Sequence, residues 1–119
     1  MPRGARACER IGEAIRAHPF LVAGSGRFCT RAIEAAGGAA ILKTGAEGNF
    51  MGAFPGTGLG FALKIEDGAT RASEVAAAQV ILRFAKLDER ARAAVTALAR
   101  TTIENRGGKQ VGAVQPAAW

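Results

Sequence analysis

An α+β fold is predicted for this chain: an antiparallel sheet with helices packed on it. Three observations predict it. Apolar residues recur at helical spacing near the N-terminus and again between residues 71 and 99. Three short runs, residues 39–43, 49–54 and 59–65, have the length and β-forming composition of strands. The links between those runs are too short to hold a crossover helix, so neighbouring strands run antiparallel.

Each element has a local reason. Residues 5–18 read as a helix, with Cys8, Ile11, Ile15 and His18 as its apolar stripe. Pro19 stops it, because the residue before proline avoids helical dihedrals. Phe20 to Ala23 is an apolar link, and Gly24-Ser25-Gly26 a tight turn. Thr30 is placed to cap a short helix over residues 31–36, which Gly37-Gly38 ends. Residues 39–43 form the first strand. In the second, Phe50 and Gly52 alternate with Met51 and Ala53. Pro55-Gly56-Thr57-Gly58 is a hairpin turn. In the third strand Leu59, Phe61, Leu63 and Ile65 share one face. Thr70 is the expected cap of a helix over residues 71–86, with Val75, Ala78, Leu82 and Ala85 inward. Asp88 caps the next helix, whose buried stripe is Ala91, Ala94, Val95 and Leu98. After the turn Arg106-Gly107-Gly108, residues 109–114 form a last strand.

Composition bounds the function. With 119 residues the chain makes a single domain, residues 1–119, with a modest core. Its hydrophobic fraction is 49%, but only 6% is aromatic, so the apolar area is spread over small side chains. The formal charge is +6, and six arginines fall before residue 32. A basic domain can bind nucleic acid, but no groove-reading motif or aromatic stacking pattern accompanies this charge. Nucleic acid is therefore not the expected partner. Cys8 and Cys29 make no disulfide framework, and neither has a second ligand at metal-binding spacing. The expected state is a soluble cytoplasmic protein without a metal or other cofactor, because there is no leader pattern and no apolar run long enough to span a bilayer.

The chemistry concentrates in Lys43-Thr44-Gly45-Ala46-Glu47-Gly48, after the apolar run Ala39 to Leu42. A lysine, a small hydroxyl and a glycine at the end of a strand resemble the Lys-Thr-Gly signature of penicillin-binding and β-lactamase-like enzymes. In that setting Lys43 is the catalytic cation, stabilising an ionised serine and attracting a carboxylate. Thr44, Gly45 and Glu47 are the expected substrate-binding residues. The threonine hydroxyl donates or accepts. Gly45 lets a substrate approach the strand edge. Glu47 either orients Lys43 by charge or faces solvent. The order of a strand, two hairpin strands and a long helix is the order expected after the triplet.

The flanks make the resemblance specific. Ala14 to Gly24, Gly26-Arg27-Phe28, Lys43 to Gly48, Gly58 to Ala72 and Val111 to Val114 together resemble the bacterial asparaginase II family, of the type first associated with rhizobia. The resemblance implies a serine β-lactamase-like fold and hydrolysis of L-asparagine to L-aspartate and ammonia. It also implies a serine nucleophile in a Ser-x-x-Lys segment, and zinc held through cysteines and a lysine in some complete members. The sequence departs from that pattern. It has no Ser-x-x-Lys, its only serines are Ser25 and Ser73, and Cys29 stands where an acidic residue is expected. The chain therefore reads as the C-terminal part of such an enzyme, inactive alone, with a complementing chain or a second copy as partner. A non-catalytic association module or a truncated gene product is the alternative. His18, the single histidine, reads as a solvated or capping group, Cys8 as a small core residue and Cys29 as a loop thiol.

Overall fold

The computed structural model describes residues 3–117. Its centre is a three-stranded antiparallel sheet of β1 (Ile41–Thr44), β2 (Asn49–Phe54) and β3 (Leu59–Lys64), in the order β1-β2-β3. The register sets Lys43 opposite Met51 and Met51 opposite Ala62. Alternation then decides the two faces. Leu42, Phe50, Phe54, Phe61 and Leu63 turn inward and pack with Ala77, Ala78 and Ile81 of α4 (Thr70–Phe84). Lys43, Met51 and Ala62 turn outward.

Helices surround that frame. The helix α1 (Arg3–Ala17) reaches β1 through Gly12, whose missing side chain lets Ile41 approach. One helical turn, α2 (Phe20–Ala23), leads to α3 (Phe28–Ala35), which packs on β1. The helix α5 (Glu89–Thr96) packs on α4 and α3. Strands β4 (Thr101–Glu104) and β5 (Gln110–Val114) form a separate two-stranded antiparallel sheet.

The α+β class and the three-strand order agree with the sequence, as does Asp88, whose carboxylate accepts the Ala91 N–H at 2.7 Å. Other expectations need correction. Along α1, Cys8 and Ile11 are exposed, so the stripe is largely uncovered and Cys8 is not a core residue. The link Phe20–Ala23 is helical. Thr30 is no cap: α3 starts earlier because Phe28 is drawn into the core, edge-on to Phe50 at 5.5 Å. The Thr30 hydroxyl instead donates back to Gly24 O at 2.8 Å. Thr70 is likewise inside α4, and the preceding Asp67 carboxylate accepts the Ala69 N–H. The buried side of α4 runs through Ser73, Ala77 and Ile81 besides Val75, Ala78 and Ala85, while Leu82 is half-buried. Ala94 is exposed. Strand β3 ends at Lys64, before Ile65. Strand β4 was not expected; it exists because Asn105 closes a turn, its carboxamide oxygen accepting Gly107 and Lys109 N–H at 2.9 and 3.0 Å. Finally, the helices over residues 71–99 do not jointly cover the sheet: α4 does, and α5 lies behind it.

Candidate functional site

Lys43 lies on β1, one of the two edge strands of the sheet, and its side chain leaves from the outer face, opposite α4. It is exposed, and its ammonium donates to Thr44 O at 2.8 Å. Two shallow depressions flank it. One, of about 310 Å³, runs toward α1 and α2 and is lined by Ile15, Val22, Ile41, Met51 and Ala53. The other, of about 300 Å³, lies over Thr44, Gly45, Asn49, Met51 and Ala62. Lys43 and Met51, cross-strand neighbours, form the ridge between them.

The four expected residues occupy one end of that ridge. The Thr44 hydroxyl donates to Gly45 O at 3.2 Å and lies 3.3 Å from Asn49 O. Gly45 N–H donates to Asn49 O at 2.8 Å, which closes the end of the β1–β2 hairpin. The Glu47 backbone has φ 58° and Gly48 φ 71°, so the hairpin tip folds against the turn at Gly68. A Cβ at Gly48 would stand 3.0 Å from the Gly68 carbonyl carbon on a backbone with positive φ, so any side chain there is crowded and strained. Glu47 contributes its backbone carbonyl, which accepts from the Lys64 ammonium. Lys43, Thr44 and Gly45 are thus contiguous around one opening, and Glu47 shapes the tip beside them.

Sequence reasoning missed the part played by Cys29. It is no loop thiol: it sits inside α3, 1% exposed, with its sulfur accepting the Thr44 N–H at 3.3 Å. That N–H belongs to the free side of β1, so the thiol occupies a donor at the strand edge. Burial pushes the Cys29 thiol up; the Thr44 N–H and the Lys43 charge pull it back, and Glu74 on α4 pushes it up further. Glu74 is itself held above the usual carboxylate range by burial, with Arg27 and Arg31 opposing. No spacing rule joins Cys29 to Thr44; only the packing of α3 on β1 does.

The site holds a cation, a hydroxyl and an open strand end, which suit charge stabilisation and carboxylate or carboxamide recognition. Its own hydroxyls do not make an obvious nucleophile. Ser73 is fully buried and donates to Thr70 O at 2.8 Å, and Ser25 is exposed in the α2–α3 turn. Among the described residues no three of His, Cys, Asp and Glu converge as a group that could hold a metal ion. No helix among the described residues is long and apolar enough to cross a membrane.

The model of one family, L-asparaginase II, matches residues 2–116. A search of curated proteins returned no significant match.

Proposed function

The chain belongs to the L-asparaginase II family, and from that premise we propose that it supplies one wall of an amidohydrolase site for L-asparagine. The observation that carries this reading is the position of Lys43: on an edge strand, pointing into open space between two depressions, with Thr44 and Gly45 at the same end. The strand order after the triplet, two hairpin strands and then the long helix α4, supports a serine β-lactamase-like relationship.

In this reading the nucleophile comes from a Ser-x-x-Lys segment that residues 1–119 do not contain. Its serine attacks the side-chain carboxamide carbon of asparagine, and the tetrahedral intermediate expels ammonia to leave an aspartyl ester. Water then hydrolyses the ester to L-aspartate and regenerates the serine. Lys43 stabilises the serine oxyanion and attracts the substrate carboxylate. Thr44 and Gly45 line the strand edge against which the substrate lies, and Glu47 fixes the hairpin tip. The two free thiols suit a reducing compartment such as the cytoplasm.

The test is ammonia release from L-asparagine. The purified chain alone is expected to give none. Mixed with a polypeptide that carries the Ser-x-x-Lys segment of a complete family member, it gives turnover that Lys43→Ala abolishes. Turnover by the chain alone, above a Lys43→Ala control, overturns the split-site reading. A second reading, a non-catalytic association module, is favoured by one observation: Ile11, Leu21 and Met51 are each more than half exposed. It predicts a complex in solution whose formation Lys43→Ala leaves intact.

A further inference from the structure

The depression between α1, α2 and the outer sheet face has a chemistry that a polar substrate such as asparagine does not use. Its walls are the aliphatic side chains of Ile15, Val22, Ile41, Met51 and Ala53, and its volume is about 310 Å³. That is the lower end of the range for small-molecule sites, roughly 300–1,000 Å³. Lys43 forms its lip, with the aliphatic stem beside the groove. Among the described residues the ammonium is held by Thr44 O alone, and it is exposed, so a carboxylate can meet it without first breaking a buried pair.

The register explains why an anion is preferred over any other polar head. Ile41, Lys43, Asn49, Met51, Ala53, Gly60, Ala62 and Lys64 occupy the outward positions of the three strands. Two are cationic and none is acidic, so the face attracts negative charge. The apolar floor then selects for a tail. Burying methylenes there removes both their area and that of Met51, which is 65% exposed in the free chain.

We propose that this groove binds an aliphatic monocarboxylate, its tail among Ile15, Val22, Ile41, Met51 and Ala53 and its carboxylate on the Lys43 ammonium. The site stands independently of asparagine hydrolysis, because binding requires no nucleophile and no turnover.

The full chain, labelled with ¹³C at the methionine methyl groups, is titrated with octanoate, hexanoate, octylamine, octan-1-ol and N-acetyl-leucine. The Met51 signal is assigned with Met51→Leu. Octanoate is expected to shift it saturably. Hexanoate, two methylenes shorter, binds about tenfold more weakly. Octylamine and octan-1-ol bind more weakly than octanoate. Lys43→Gln weakens octanoate about threefold, the size of an exposed charge contact, and leaves octan-1-ol unchanged. A thermal melt matching the parent's shows that Lys43→Gln is folded. A linear, unsaturated shift overturns the proposal, as does octylamine binding as tightly as octanoate. Tighter binding of N-acetyl-leucine than of octanoate also overturns it, by assigning the groove to a peptide terminus.

Discussion

Gly52 sits in the middle of the central strand, where the site's frame is thinnest. A Cβ added there meets Ile41 O and Phe61 Cε1 at 2.5 Å, and Phe61 Cζ at 2.9 Å. Ile41 O is backbone of β1, so it yields only if the strand carrying Lys43 moves away. The Phe61 ring stacks on Phe54, with centroids 5.4 Å apart, so it yields only by unstacking. Overpacking of this kind costs about 1–3 kcal/mol. Loss of the ring pair adds about 0.5–1.5 kcal/mol. Alanine stiffens the unfolded chain and returns about 0.4–1 kcal/mol. Gly52→Ala is therefore expected to destabilise by about 2 kcal/mol, a large share of the ~5–15 kcal/mol that holds a domain folded. In urea, followed by circular dichroism at 222 nm, the midpoint falls by about 1 M, taking a slope of about 2 kcal/mol/M. Gly60→Ala is the control: its Cβ meets only Gly52 O, at 3.5 Å, an ordinary contact. A Gly52→Ala midpoint within about 0.3 M of the parent would refute the steric reasoning. So would an equal loss in Gly60→Ala.

Two further outcomes follow from the helices. Asp88→Ala removes the carboxylate that holds Ala91 N–H, and costs about 1 kcal/mol; a thermal melt falls by about 4 °C, while Asp88→Asn, whose carboxamide oxygen also caps, melts close to the parent. Glu74 keeps its proton in the folded chain at a pH where the unfolded chain has lost it, because burial raises its carboxyl above 4.5. The stability it contributes is therefore full below 4.5 and is lost as pH rises through the folded-state value. Glu74→Gln escapes that loss: its urea midpoint exceeds the parent's at about pH 7, and the gap narrows near pH 3.5. A gap of equal size at both pH values contradicts the assignment.

The three strands were legible because each is a short apolar run set off by turn residues, because Leu59 to Leu63 alternate in size, and because Pro55 to Gly58 is a turn by composition. Asp88 was legible because a capping side chain acts on its own next turn. Thr30 and Thr70 show the limit of the same rule. Each carries a capping side chain, but burial of Phe28 and the Asp67 carboxylate move the helix starts upstream. Strand β4 was hidden because Thr101-Thr102-Ile103-Glu104 is short and mostly polar, and only pairing with β5 makes it a strand. At the site, Lys43, Thr44 and Gly45 could be found because they are adjacent in sequence. Cys29 could not, because its contact with Thr44 spans 15 residues and depends on how α3 docks. The uncovered stripe of α1 was hidden for a related reason: periodicity shows that a face is apolar, not that anything lies against it.

The hairpin of β4 and β5 shares no strand with the sheet that carries Lys43, and touches the remainder mainly where β5 meets α4. A ribbon of two strands has little stability of its own in water. Its amides therefore exchange with solvent deuterium well before those of β2. The exposed tip at Asn105 to Gly108 also marks the spot where a fluorophore or affinity peptide can be spliced in without disturbing the lysine-bearing edge.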